Sequence, residues 1–137
     1  MPVVDLPVVD PVVGIVLVSH SEKLVQGLAE LIAQLAPDQP VAVAGGLPDG
    51  GLGTSEERIS HAIFRVDAGR GVIVLADLGS AVLTTVALLD DEPRDDVLLV
   101  DAPLVEGAVS AAVTASTGAD LAAVAEAAAE ARTVSKL

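Results

Sequence analysis

Four short runs of aliphatic, mostly β-branched residues punctuate this chain, and each is followed by a turn and a segment with helical spacing. Strands that run in the same direction need a long crossover between them, usually a helix. The alternation therefore predicts an open, doubly wound α/β sheet of four parallel strands with helices on both faces. The runs fall at 12–19, 41–44, 72–76 and 97–100. The first, Val-Val-Gly-Ile-Val-Leu-Val-Ser, has no polar alternation, as expected of a strand covered on both sides. With aromatic residues at only 1%, the core must be built from Val, Leu, Ile and Ala. The second run is short, which suits an edge and gives the order 2-1-3-4.

The helices are marked by period and punctuation. Leu24, Val25, Leu28, Leu31, Ile32 and Leu35 predict one apolar face on the first helix, which Pro37 and Pro40 end. Thr54, with Glu57 three residues later, is a capping-box signature for a second helix that turns Ile59, Ala62, Ile63 and Val66 inward. Ser80 is the expected N-cap of a third helix, to about residue 89. A fourth is expected over 104–115, and Asp120 caps an Ala-rich fifth over 121–131. Residues 12–137 read as one domain. Residues 1–11, with Pro-Val-Val-Asp twice, read as an extended N-terminal arm. That arm lacks the basic start and unbroken apolar run of a signal peptide.

Twenty acidic residues against seven basic ones give a formal charge of −13. Such a field repels nucleic acid and anionic membrane surfaces and attracts a basic protein face. No cysteine is present, which removes thiolate catalysis, disulfides and Cys-type zinc sites. No apolar run approaches the ~18 residues of a membrane span, and a cytoplasmic location is expected.

Open α/β sheets bind ligands beyond the carboxyl ends of their strands, where the strand order reverses. In the order 2-1-3-4 that point lies between strands 1 and 3. It receives Ser19, His20 and Ser21 from one side and Asp77 from the other. A histidine becomes a nucleophile toward phosphorus when one ring nitrogen is free and the other held. A carboxylate accepting the Nδ1 hydrogen leaves Nε2 unprotonated and stabilises the cationic ring that phosphorylation creates. His20 and Asp77 are the candidate catalytic pair. The phosphoryl oxygens then need donors, which helix N-termini supply. The expected phosphate-binding residues are Ser19, Ser21, Gly53, Thr54, Gly79 and Ser80, with Gly50-Gly51-Leu52-Gly53 letting backbone approach closely. Lys23 is the one basic residue expected near this face.

Plainer readings stand beside these. A lone strand-end histidine is more often incidental, Asp77 can serve only as a helix cap, and Thr54 caps whatever else it does. The Gly-rich loop lacks a Walker lysine. His61, off the apolar stripe of its helix, reads as solvated. The acidic cluster Asp90, Asp91, Glu92, Asp95 and Asp96 lies at the amino end of a strand, away from the site.

Four segments in order resemble the mannose-type IIA domains of the bacterial phosphotransferase system: Val-Ser-His-Ser at 18–21, Gly-Leu-Gly-Thr at 51–54, Ala-Asp-Leu-Gly-Ser-Ala at 76–81 and Ala-Pro-Leu-Val-Glu-Gly-Ala at 102–108. The resemblance runs over about 13–131. Within that family it leans to the phosphotransfer subunits of the phosphoenolpyruvate-dependent dihydroxyacetone kinases. Ser after the histidine, Gly-Ser-Ala after Asp77 and the Pro-Leu-Val-Glu-Gly run carry that subtype. Sugar-transporting relatives more often have Gly after the histidine and Gly-Gly-Ser-Pro after the aspartate.

The resemblance implies a relay. The phosphocarrier protein HPr donates to His20, which phosphorylates ADP held with magnesium on an ADP-binding kinase subunit (DhaL). Dihydroxyacetone reacts on the partner side. It further implies that the donor comes in trans, that the chain forms a homodimer, and that it holds no metal or tightly bound cofactor of its own. Two other readings stay open: a IIA subunit of a mannose-type sugar transporter, and a non-enzymatic nucleotide- or flavin-binding flavodoxin-like module. Flavin sites usually offer aromatic stacking, and this chain has only Phe64. A receiver domain needs paired acids where Ser-His-Ser stands, and a serine hydrolase needs a Gly-x-Ser-x-Gly elbow that is missing.

Overall fold

A computed structural model describes residues 10–137. The expected arm falls mostly on residues 1–9, outside the described residues. Asp10 and Pro11 are exposed, and the Pro11 carbonyl accepts a hydrogen bond from Arg70 at 3.2 Å.

The chain alternates as β1 (Gly14–Ser19), α1 (Glu22–Leu35), β2 (Val41–Gly45), α2 (Glu56–Val66), β3 (Val72–Ala76), α3 (Gly79–Asp91), β4 (Val97–Leu99), α4 (Leu104–Ser116) and α5 (Leu121–Glu130), then a 3-10 turn at Ala131–Thr133. All pairings are parallel and the order is β2-β1-β3-β4, as the sequence predicts. β1 starts two residues later than its apolar run and β4 stops one earlier, at the frayed ends where such limits are weakest.

Two aliphatic layers fill the molecule. Ile15, Leu17, Ile73 and Leu75 meet α1, α4 and α5 on one side of the sheet. Val16, Val18, Val72 and Val74 meet Ile59, Ile63 and Ala81 of α2 and α3 on the other. Alternate residues of one strand thus enter opposite cores, which is why β1 needs no polar face.

Three sequence expectations are corrected. The N-cap of α2 is Ser55, whose Oγ accepts from the Arg58 N–H at 3.3 Å, and not Thr54. Ser80 lies inside the first turn of α3, and the cap position is Leu78, with no side-chain cap. On α1 only Val25, Leu28 and Ile32 are buried, while Leu24, Leu31 and Leu35 are about half exposed. The sheet covers a narrower stripe than the apolar pattern spans.

Candidate functional site

The carboxyl ends of β1 and β3 bring two turns side by side. Val18 pairs with Ala76, so the next residues, Ser19-His20 and Asp77, leave the sheet together. The Asp77 N–H still donates to the Val18 carbonyl at 3.1 Å, which fixes the second turn against the first.

Asp77 is the centre of the arrangement. Its Oδ1 lies 3.0 Å from His20 Nδ1 and accepts the Leu78 N–H at 2.7 Å. Its Oδ2 accepts the Ser19 hydroxyl at 2.8 Å and the His20 backbone N–H at 3.1 Å. Burial works against the Asp77 charge, but the bonds from Ser19, the His20 backbone, the His20 ring and the Leu78 backbone outweigh it and hold its pKa below the ordinary carboxylate value. The acid is therefore a charged acceptor at neutral pH, and Nδ1 facing it is the donor. Nε2 is left as the acceptor nitrogen, in contact with the Ser80 hydroxyl. The ring is 24% exposed against 12% for the carboxylate, so the ring stays accessible while its partner is shielded.

The candidate phosphate-binding residues divide. Gly79 and Ser80 form the first turn of α3, where backbone N–H groups have no carbonyl one turn earlier within the helix, the setting in which helices bind anions. The Ser80 hydroxyl already meets Nε2. Ser19 does not face outward: fully buried, it donates to Asp77 and accepts the Ser21 N–H at 3.0 Å. Its hydroxyl, expected to meet phosphate, is turned to the acid and the backbone of the turn. Ser21 caps α1, accepting from the Leu24 N–H at 3.3 Å. Thr54 Oγ1 lies 2.7 Å from Thr84 Oγ1, and Thr84 donates to the Ser80 carbonyl at 2.8 Å. Thr54 thereby ties the start of α2 to α3. The Gly53 N–H is used at 3.0 Å by the His20 carbonyl.

The Gly-rich loop is consequently a strap and not an open cradle. It leaves β2 through Gly46, whose φ of +69° suits glycine and whose N–H reaches the Ser19 carbonyl at 3.1 Å. It returns through Gly53. Both carbonyls of the Ser19-His20 pair are held by its two ends.

Two residues here escaped sequence reasoning. Thr84 follows Ser80 by one helical turn, a spacing that signals neighbours but not a bond. Arg58, in the first turn of α2, donates from Nη1 to the Gly45 carbonyl at 3.0 Å, so Lys23 is not the only basic residue at this end of the sheet. An open cavity of about 270 Å³ beside Asp77 is lined by Leu78, Gly79, Val82 and Asp101. A larger one, about 570 Å³, lies at the amino ends of the strands near Asp38 and Gly118, remote from His20. Among the described residues no three His, Asp or Glu side chains gather as a metal site. Among the same residues no helix is long and apolar enough to cross a membrane. His61 is exposed, and in the acidic cluster Asp96 pairs with Arg94 at 2.9 Å at the far end of the sheet.

A family profile, EIIA-man, described as the fructose IIA component of the phosphotransferase system, matches residues 14–125. A Listeria innocua protein named PEP-dependent dihydroxyacetone kinase 2, phosphoryl donor subunit DhaM, is 41% identical over 105 residues, 74% of this chain and 84% of that protein. A Lactococcus lactis protein named PTS-dependent dihydroxyacetone kinase, phosphotransferase subunit DhaM, is 34% identical over 113 residues, 82% of this chain and 90% of that protein. The Escherichia coli DhaM is 39% identical over 116 residues, and there the match spans only 25% of the longer relative. The crystal structure of unknown function protein EF1359 superposes with a TM-score of 0.74 at 37% identity, covering 86% of this chain and 93% of that one.

Proposed function

The chain belongs to the EIIA-man family and, within it, to the dihydroxyacetone kinase phosphoryl donor subunits, and on that premise we propose that it carries the phosphoryl group on Nε2 of His20. The observation that carries the assignment is the 3.0 Å contact between Asp77 Oδ1 and His20 Nδ1, which leaves Nε2 as the free lone pair.

The Nε2 lone pair forms the new N–P bond as the donor's own N–P bond breaks, and the donor histidine keeps that electron pair. The Asp77 carboxylate stabilises the imidazolium that results. Gly79, Ser80 and the Ser80 hydroxyl meet the phosphoryl oxygens at the N-terminus of α3. The Ser80 hydroxyl must turn from Nε2 to an oxygen of the incoming group.

The donor in this reading is the phosphocarrier protein HPr, and the acceptor is ADP with magnesium on the ADP-binding kinase subunit. Leu52, Leu78 and Leu83 are well exposed on the loop and helix that frame His20, an uncharged rim on a chain of charge −13, which suits docking of a second protein. Exposed Leu24, Leu31 and Leu35 on α1 leave an apolar stripe for the second copy of a homodimer. Phosphoryl transfer needs metal or cationic groups around the transferring oxygens. This chain offers Lys23, exposed on α1, while Arg58 is tied to the Gly45 carbonyl. The remaining positive charge comes from the partner.

The test is phosphate loss from the phosphorylated protein, first with free ADP and magnesium, then with the ADP-loaded kinase subunit. Slow loss in the first case and rapid ATP formation in the second is expected. Rapid ATP formation from free ADP alone contradicts the assignment of the acceptor.

A further inference from the structure

Arg58 is a half-buried arginine in an acidic chain, yet among the described ion pairs no carboxylate partners it. Its recorded bond goes instead to a backbone carbonyl, that of Gly45, the last residue of β2. The register explains why that carbonyl is available. Pro40 and Gly46 use their backbone groups toward β1, at 3.2 and 3.1 Å, so residues of the opposite parity, Gly45 among them, turn theirs to the open edge of the sheet. Arg58 reaches over from α2 and closes that edge.

Gly45 itself is pressed against the turn that follows His20. A β-carbon there would fall 2.6 Å from Glu22 Cα and 2.9 Å from the Ser21 carbonyl oxygen. It pairs with Ser19 across the strands. The next residue begins the strap that holds both the Ser19 and His20 carbonyls. Gly45 is thus wedged between Arg58 on one side and the backbone of the histidine turn on the other.

We infer that Arg58 is a positioning residue for His20, acting through the Gly45 carbonyl to hold the root of the Gly-rich strap against the Ser19–Glu22 turn. Its kinetic consequence rests on the phosphohistidine reading above, whereas its structural consequence does not. Loss of the anchor frees the edge of β2 and lets the ring drift from its alignment. Misplacements of about 1 Å can cost on the order of 10²-fold in rate.

The test compares Arg58→Met, which keeps the stem and removes the donor, with Arg58→Lys, which restores one. Two readouts are taken: the ring nitrogen signals of His20 by NMR in the unphosphorylated protein, and phosphoryl uptake with HPr as the varied donor. Arg58→Met is expected to shift the His20 signals and lower kcat by about tenfold or more with donor KM unchanged, and Arg58→Lys to recover most of both. Should Arg58→Met fail to fold, Arg58→Gln, neutral and too short for Gly45, is read the same way. A raised KM with unchanged kcat and unmoved signals makes Arg58 a docking residue and overturns the inference, as does a variant identical to wild type. Absence of uptake in the wild-type protein would remove the phosphohistidine reading alone, because the NMR signals still report the anchor.

Discussion

Asp77 grips His20 at two points, through the ring at Nδ1 (3.0 Å) and through the backbone N–H (3.1 Å), so one carboxylate sets both the rotation of the imidazole and the path of the chain that carries it. The same group accepts from Ser19 and from the Leu78 N–H. A carboxylate that only capped the following helix would have no use for the ring.

Asp77→Asn keeps the shape and removes the charge. The amide can offer Nδ1 a hydrogen in place of accepting one, which favours the wrong tautomer, and it does not stabilise the phosphorylated ring. In a serine protease the equivalent change costs about 10⁴ in rate. Here His20 is partly exposed and less rigidly enclosed, and a loss of about 10²-fold to 10³-fold is expected, within the range for positioned acid–base partners. Single-turnover phosphoryl uptake measures it, and a wild-type rate would reduce Asp77 to a cap.

The pH dependence of stability follows from the sign of the Asp77 shift. Its pKa is lower in the folded protein than in the unfolded chain. The stabilisation is therefore fully present above the ordinary carboxylate value of about 3.9 and fades as pH falls through the lower folded value. The difference in unfolding free energy between wild type and Asp77→Asn should be constant near neutrality and shrink below about pH 4. Denaturant titrations from pH 7 downward check this; a difference that grows toward acid contradicts it.

Ser19→Ala removes a buried hydroxyl that donates to Asp77 and accepts from the Ser21 N–H. Leaving that N–H without its partner and the acid with one donor fewer should cost about 1–3 kcal/mol in stability and raise the Asp77 pKa. Chemical denaturation gives the first quantity and carbon-detected NMR titration the second. An unchanged Asp77 titration would mean the hydroxyl serves the turn alone.

The sheet and the His20–Asp77 pair were legible in the sequence because both follow from order along the chain. A strand that ends on Ser-His-Ser and another that ends on Asp must meet if their strands are neighbours, and the short second run placed the edge strand correctly. What the sequence concealed is the choice between equivalent groups. Thr54 and Ser55 are both competent caps, and which one turns to α2 depends on Thr84 being opposite the other. Ser19 and Ser21 flank the histidine symmetrically, but only the alternation of the strand buries the first. Arg58 sits in an ordinary first turn, and its partner is a backbone carbonyl thirteen residues earlier, which no side-chain pattern records. The half-exposed leucines of α1 show the converse, an apolar pattern wider than the surface available to cover it.

The most direct test of the account is the intact mass of the protein after incubation with phosphoenolpyruvate, enzyme I and HPr. The wild-type chain is expected to gain one acid-labile phosphate. His20→Ala should gain none while keeping its circular dichroism spectrum, since the partly exposed ring lies beyond the end of β1 and outside both aliphatic layers. Labelling that survives in His20→Ala would contradict the account and move the phosphoryl group to His61.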